Sequence, residues 1–385
     1  RHSFPTRRSS DLLATRTNQD HIYHDVRIDN LYVNSEVPKL AATNFNTSEI
    51  LDHQCNYKLA VQGFDIKLLT PVFICPIKEG TNNNINLTNF GVCISYSGSD
   101  YSSPVIFVPE NLSARLPKAP INNDGLQDLS TDYYSVYTFH AFLDMINTAL
   151  LTAYNAFNAA HGGVHSSAPY FIYNAVTGLM SLIVDASYAD NGTTKIYLNI
   201  LLLNYVENIP MIFQGYDQPN FKDLYFNIKS YGNNGYPVPS DPTPQKLEFM
   251  QEYDGRFLWC NLRSIVLTSS SIKAGPEFLP NAINLNSFSA QGKNTNSYSP
   301  NFRNILSYYD VVVDTSGNQG CNWRQNIYYQ PNLYKWIDLT SNNPLNSINL
   351  EIYYVLNNGQ IIPAYIQSGQ TCTIKLLFRK ADYKD

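Results

Sequence analysis

Charged residues are scarce in this sequence. Lys, Arg, Asp and Glu make up 15% of its 385 residues, whereas about 25% is usual in globular proteins. The net charge of −5 disfavours a nucleic-acid-binding protein, because phosphate contacts require clustered Lys and Arg. A hydrophobic content of 44% with 13% aromatic residues excludes an intrinsically disordered chain, since enough apolar area can be buried to offset the loss of chain entropy.

Signatures of catalysis and of metal binding are also missing. The sequence contains no G-x-S-x-G elbow, no Walker loop and no G-x-G-x-x-G turn, so the common nucleophile and phosphate-binding motifs are absent. His161 and His165 are four residues apart, but Gly162 and Gly163 lie between them and prevent a shared helical face. We therefore expect no catalytic residues, no metal ligands and no cofactor.

Cysteines are few and widely spaced, without a C-x-x-C pair. We expect them to be reduced, mostly buried thiols rather than a disulfide framework or a zinc site. The six are Cys55, Cys75, Cys93, Cys260, Cys321 and Cys372.

Two groups of acidic residues leave an enzymatic alternative open. Asp310 and Asp314 flank a short apolar run, and Glu248, Glu252 and Asp254 precede Trp259. A glycosidase needs two carboxyl groups roughly 5–10 Å apart. With 31 acidic residues in the chain, however, such clusters arise by chance, so an enzyme remains the minor hypothesis.

No stretch of 18 apolar residues occurs, so we expect no membrane insertion. The arginine-rich residues 1–12, RHSFPTRRSSDL, resemble the translation of a sequencing adapter, and we exclude them from the fold. Four Asn-x-Ser/Thr sequences are present, but with 44 Asn in the chain they do not establish secretion or glycosylation.

Short β-type runs separated by Pro, Gly and Asn dominate the rest of the sequence and predict a mainly β protein, an antiparallel β-sandwich. The predicted strands are 57–69, 71–77, 91–96, 104–108, 170–174, 179–185, 195–206, 224–228, 263–268, 305–313, 325–329, 336–339, 348–356 and 371–378.

One long amphipathic helix is predicted at about 138–160. Its apolar residues, from Phe139 to Phe157, recur every three or four positions, which is the pattern of a helix with one buried face. Thr138 provides an N-cap, and Gly162 and Gly163 provide the stop. A helix of this length is expected to lie across one face of the sandwich.

The proline-rich stretch 231–244 is the predicted domain boundary, because four prolines stiffen it towards an extended spacer. It divides the chain into a first β-sandwich domain with the inserted helix, 20–236, and a second β-sandwich domain, 245–385. Long loops at 109–132 and 275–300 are predicted to carry interactions.

Tyrosine is abundant, with 29 residues, several in adjacent pairs such as Tyr308-Tyr309 and Tyr328-Tyr329. Such pairs place one ring on each face of a strand, so ordinary packing can account for them. Together with the low charge, they also favour large interfaces between subunits, where Tyr is enriched and Lys and Glu are depleted.

Several segments resemble capsid proteins of non-tailed DNA viruses of the polinton-like and adenovirus-like lineage. They are 56–77 (NYKLAVQGFDIKLLTPVFICPI), 142–157 (FLDMINTALLTAYNAF) with 169–174, 264–271 (SIVLTSSS) and 344–380 (PLNSINLEIYYVLNNGQIIPAYIQSGQTCTIKLLFRK). The resemblance spans about 30–380 and rests on strand rhythm and these short blocks.

The resemblance implies one or two jelly rolls per chain and a viral capsid subunit, located in the virion, that forms trimeric or pentameric capsomers with itself and with other capsid proteins. Many capsid proteins that hold a genome carry a basic N-terminal arm, and here the only basic N-terminal cluster falls in residues 1–12. Either such an arm was lost with the true start of the chain, or genome contact belongs to another protein; the second agrees with the resembled lineage, so no direct contact with nucleic acid is expected. The alternatives are a fibre, tail or lectin-like binding module and, less favoured, a β-sandwich carbohydrate-active enzyme.

Overall fold

A computed structural model describes residues 20–30, 39–67, 71–76, 86–110, 134–190, 192–230, 235–237, 246–275, 304–310, 327–357, 361–366 and 369–383. Its helices are α1 (Phe139–His161), α2 (Leu203–Val206) and α3 (Arg256–Trp259). Its strands are β1 (His21–Asp29), β2 (Lys39–Leu40), β3 (Ala42–Leu51), β4 (Tyr57–Ile66), β5 (Phe73–Ile74), β6 (Leu87–Tyr96), β7 (Ser99–Ile106), β8 (Ser135–Val136), β9 (Tyr170–Tyr173), β10 (Met180–Asp185), β11 (Thr194–Leu198), β12 (Met211–Phe213), β13 (Leu224–Phe226), β14 (Gly235–Pro237), β15 (Lys246–Met250), β16 (Leu262–Ser269), β17 (Asn304–Asp310), β18 (Ile327–Tyr329), β19 (Ile337–Asp338), β20 (Leu345–Leu356), β21 (Ile361–Pro363), β22 (Tyr365–Ile366) and β23 (Thr371–Lys380).

Eight of these elements form a jelly roll. One sheet has the order β1-β23-β4-β18, with β19 also pairing with β4, and the facing sheet has the order β17-β16-β20, with β3 and β21 pairing with β20. Numbered along the chain, the eight principal strands are β1, β3, β4, β16, β17, β18, β20 and β23. One sheet has the order first-eighth-third-sixth and the other has the order second-seventh-fourth-fifth, which is the double Greek key of a single jelly roll. The predicted β-sandwich is confirmed.

Alternating side chains on these strands build the jelly-roll core. Val26 and Ile28 of β1 are buried, while the intervening Arg27 is exposed, and Ile348, Leu350 and Ile352 of β20 are buried in the same alternating way. The side-chain period of two places every second residue on the inner face. Residues from β1, β3, β4, β16, β17, β20 and β23 meet in this one core.

A second core belongs to an inserted domain, residues 72–259, which lies between β4 and β16. Two sheets, β12-β13-β11-β6-β7 and β14-β15-β10-β9, together with α1, contribute its side chains. The boundary predicted at 231–244 falls within residues 72–259 and does not separate two consecutive domains. Because β1 pairs with β23 along its full length, the jelly roll takes strands from both ends of the chain. That pairing is non-local, and no local composition signals it.

Helix α1 begins and ends as predicted. The Thr138 hydroxyl accepts a hydrogen bond from the Ala141 N–H at 3.2 Å and itself donates to the Glu110 carboxylate. Gly163 has a φ of +83° after the last turn, a conformation that glycine adopts without strain. The apolar stripe from Phe142 to Phe157 is buried against the sheets.

The segment predicted as a strand over 195–206 is a strand only as far as Leu198. Residues 200–202 form a 3-10 turn and 203–206 form α2. The buried carboxylate of Asp223 accepts the Ile200 N–H at 2.8 Å, which removes that donor from any ladder. A short apolar run does not distinguish a strand from a buried helical turn.

The chain passes between the jelly roll and the inserted domain twice, and one side chain links these two connecting segments by hydrogen bonds. Asn261, between α3 and β16, accepts the Ile74 N–H at 3.0 Å and donates to the Ile74 carbonyl at 2.8 Å. Trp259, two residues earlier, is buried against Phe73 and Tyr205. We call this junction, residues 72–76 and 259–262, the neck.

Candidate subunit interface

One edge of the jelly roll brings the outermost strands of both sheets together. β17 ends one sheet and β18 ends the other, and the rings of Phe64, Tyr309 and Tyr329 join them. The ring centroids are 4.1 Å apart for Phe64 and Tyr309 and 4.4 Å apart for Tyr309 and Tyr329. These distances and steep ring angles are favourable for aromatic pairs. Burial raises the pKa of the Tyr309 phenol, so it stays neutral.

Large apolar side chains project outward from the same edge. Tyr328 is 72% exposed and Leu333 is 87% exposed, and Lys335 places its ammonium 4.9 Å above the Tyr308 ring. We name this surface the aromatic edge; it consists of Tyr308, Tyr328, Tyr329, Leu333 and Tyr334. Tyr308 is exposed and Tyr309 is buried, as predicted for the pair, whereas Tyr328 and Tyr329 are both exposed.

The exposed part of the aromatic edge amounts to about 500 Å² if a large side chain carries roughly 150–250 Å². A standard interface buries about 800 Å² on each partner, and contiguous apolar patches of several hundred Å² are typical of interaction sites. Edge strands also expose unpaired main-chain groups. This edge therefore has the size and chemistry of a protein contact.

A crevice beside the aromatic edge is too small for a typical ligand. It is lined by residues of β4, β18 and β23, including Gln62, Tyr328 and Lys375, and encloses about 100 Å³. Small-molecule sites usually measure about 300–1,000 Å³.

The two acidic groups considered for catalysis lie in different parts of the fold. Glu248 lies on β15 in the inserted domain, and Glu252 and Asp254 lie in the turn that follows it. Asp310 ends β17 in the jelly roll, and Asp314 lies outside the described residues. The two acidic groups therefore belong to different sheets with separate cores.

His161 and His165 lie at the end of α1 farthest from the neck and have separate partners. His161 Nε2 is 2.7 Å from the Tyr101 hydroxyl. His165 Nε2 is 3.0 Å from Thr194 Oγ1, and its Nδ1 is 2.6 Å from Ser187 Oγ. Within the described parts of the chain, no three His, Cys, Asp or Glu side chains are grouped to hold a metal ion.

His165 is buried and belongs to a hydrogen-bonded network. Ser187 donates its hydroxyl to Asp185 at 2.7 Å, so Ser187 Oγ is left to accept from His165 Nδ1–H, and Nε2 accepts from the Thr194 hydroxyl. Burial lowers the pKa of His165, although the charge of Asp185 opposes this. Burial works against ionisation of Asp185, but hydrogen bonds from Ser166 and Ser187 hold its pKa below the ordinary value. Sequence spacing gave no indication of this network.

Five of the six cysteines lie in the residues that the structure describes. Cys75, Cys93, Cys260 and Cys372 are buried, as predicted, Cys55 is half-buried, and Cys321 is outside the described residues. Most of the loops 109–132 and 275–300 is also outside them. Within the described ranges, no helix has the length and apolar character required to cross a bilayer.

Comparison with protein families gives a match over almost the whole chain. The family described as "Sputnik minor capsid protein V18/19" matches residues 22–380. Among curated proteins, structural protein V19 of Sputnik virophage is 29% identical over 218 residues, covering 54% of this chain and 93% of that protein. Protein V18 of Sputnik virophage, described as uncharacterized, is 37% identical over 129 residues, covering 32% and 75%.

Two solved structures share the fold. A chain of the Sputnik virophage structure determined by cryo-EM superposes with a TM-score of 0.70 at 28% identity, covering 94% of this chain and 98% of that one. The mavirus penton protein superposes with a TM-score of 0.57 at 16% identity, covering 94% and 100%.

Proposed function

Because the chain belongs to the Sputnik minor capsid protein V18/19 family, it is a viral capsid subunit located in the virion, and we propose that it assembles as a pentameric capsomer through the aromatic edge. Subunits of this family assemble with other capsid proteins.

The observation that carries the proposal is the exposed aromatic edge of the jelly roll, the single jelly roll among the residues that the structure describes. The likeness in fold to a penton protein over its full length supports a fivefold arrangement. In a ring of identical copies, contacts are heterologous, so the aromatic edge meets a different surface of the next copy. Low charge suits this role because few ions have to be desolvated on burial.

We propose a structural rather than an enzymatic role and no direct binding of the genome. The descriptions of the matching family and relative as capsid and structural proteins support the first part, and the scarcity of basic residues, 26 in 385, supports the second.

Native mass spectrometry and negative-stain imaging of the purified chain test the assembly. We expect fivefold rings, and trimers or a strict monomer at high concentration would contradict the pentamer. A Tyr328→Ser, Leu333→Ser variant should lower the ring fraction at least tenfold. Val176→Ser is the matched control, because Val176 is 94% exposed but lies in a turn of the inserted domain. Equal ring fractions in the two variants would contradict the use of the aromatic edge.

A further inference from the structure

His165 connects the two sheets of the inserted domain at the end farthest from the neck. Its Nδ1 lies 2.6 Å from Ser187 Oγ, in the 3-10 turn after β10, and its Nε2 lies 3.0 Å from Oγ1 of Thr194, the first residue of β11. β10 and β11 belong to different sheets. One imidazole therefore bridges the two sheets through two hydroxyl groups.

The same cluster holds the segment between α1 and β9. Asp185, the last residue of β10, accepts the Ser166 N–H at 2.8 Å and the Ser187 N–H at 2.9 Å, and both serine hydroxyls also donate to it. The Tyr154 hydroxyl of α1 donates to the His165 carbonyl at 2.7 Å. Because its two oxygens already accept four hydrogen bonds, the Asp185 carboxylate reaches the imidazole through the Ser187 hydroxyl.

These contacts suit a neutral imidazole. Nδ1–H donates to Ser187 Oγ, whose own proton lies on Asp185, so Nε2 accepts from the Thr194 hydroxyl. Protonation would place a second N–H against that hydroxyl, which would then have to turn its own proton away. His165 and Thr194 are 2% and 3% exposed, so water does not replace the lost hydrogen bond while the cluster stays closed. A buried polar group without a partner is unfavourable.

The groups that face the imidazole act on its charge in opposite directions. Tyr188 stacks on the ring with centroids 3.7 Å apart, and Phe157 of α1 packs with centroids 5.5 Å apart. Burial among these rings disfavours a positive charge and lowers the pKa of His165, whereas Asp185 raises it by a smaller amount. Tyr154 and Tyr188 stay uncharged, since burial raises the pKa of both phenols.

We propose that His165 is an acid-sensitive latch: protonation of its imidazole separates it from Ser187 and Thr194 and opens this end of the inserted domain. The opened form exposes the ring to water, which solvates the charge. By proton linkage the latch is complete above pH 6.5, the ordinary value for His, and is lost as the pH falls through the pKa of the closed form.

The jelly roll is not part of this change, because it has a separate core and carries the aromatic edge. A capsid subunit built in this way responds to acid in its inserted domain while its jelly roll stays folded.

Hydrogen exchange at single-residue resolution, measured on the purified chain at pH 7.5 and pH 5.0, tests the latch. Protection factors, which correct for the pH dependence of the intrinsic exchange rate, should fall at least threefold for the Ser166 and Ser187 amides. The Phe171 amide is the internal control and should keep its protection, because the Asn147 side chain of α1 accepts it at 2.7 Å. NMR titration of the His165 imidazole should give a midpoint below 6.5.

Substitutions test each part of the latch. His165→Gln should abolish the difference between the two pH values. His161→Gln is the matched control and should preserve it, since His161 lies at the same end of α1 but contacts the Tyr101 hydroxyl. Thr194→Val removes the bridge to β11 without a proton and should lower the protection at pH 7.5 at least threefold, whereas Thr194→Ser keeps the hydroxyl and should retain it.

Three outcomes would overturn the latch. The first is equal protection of Ser166 and Ser187 at the two pH values in the unaltered chain. The second is a parallel loss at Phe171, because the whole inserted domain then unfolds in acid instead of opening at one end. The third is a fall that persists in His165→Gln, which assigns the acid response to another group.

Discussion

Replacing Asn261 by Ala should weaken the neck measurably. The change removes one acceptor and one donor from the Ile74 main chain, and Ile74 is buried. A buried polar group left without a partner costs about 1–3 kcal/mol. The two groups together should lower the free energy of unfolding by about 3 kcal/mol. Asn261→Asp should also lower the free energy of unfolding. It keeps the acceptor for the Ile74 N–H but places an oxygen, which cannot donate, against the Ile74 carbonyl.

Urea denaturation followed by tryptophan fluorescence measures the effect, since Trp259 is buried at the neck and reports on its opening. Asn158→Ala is the matched control: its side chain is exposed and accepts one long hydrogen bond, 3.4 Å from the Gly163 N–H, and an exposed substitution of this kind usually stays within about 0.5 kcal/mol. If Asn261→Ala unfolds at the same urea concentration as Asn158→Ala, the neck is not fastened by this side chain.

Three further predictions concern the inserted domain. Thr138→Ala should lower stability by about 1 kcal/mol through loss of the helix N-cap, with Thr148→Ala on the exposed face as a control in thermal unfolding. Gly91→Ala should destabilise by about 1–3 kcal/mol, because a Cβ there would lie 2.4 Å from the Phe221 ring, and a double variant with Phe221→Ala that gave no recovery would refute the clash. Burial lowers the pKa of His165 in the folded protein, so the unfolded chain binds the proton first. The contribution of neutral His165 to stability should be complete above pH 6.5 and should be lost as the pH decreases through the folded pKa. His165→Gln should remove this pH dependence, whereas His140→Gln, at an exposed position, should not.

Local patterns predicted the elements that depend on neighbouring residues. Helix α1 carries its own cap, apolar stripe and glycine stop, so its limits were predicted to within one residue. The alternation of Ile348, Leu350 and Ile352 likewise predicted β20. β1 was not predicted, because its only fully buried residues are Val26 and Ile28 among charged neighbours, and its stability comes from pairing with β23 at the other end of the chain.

The aromatic edge was predictable in part. Paired tyrosines and low charge indicated interfaces, but which tyrosines are exposed depends on β17 and β18 meeting at one edge, and that is a property of the jelly-roll topology. Asn147 and Asn261 were also not predicted to have roles. Asn is the commonest polar residue here, and only the structure shows which amides bond a main chain that is distant in sequence.

The neck has a consequence for how such virions diversify. Because the strand that leaves the jelly roll and the strand that returns are bonded side by side through Asn261 and Ile74, the sandwich needs only two adjacent attachment points at this position. Another module with neighbouring ends can be spliced there by recombination. The jelly roll can then stay unchanged while the inserted domain is replaced, for example in the laboratory by a displayed antigen.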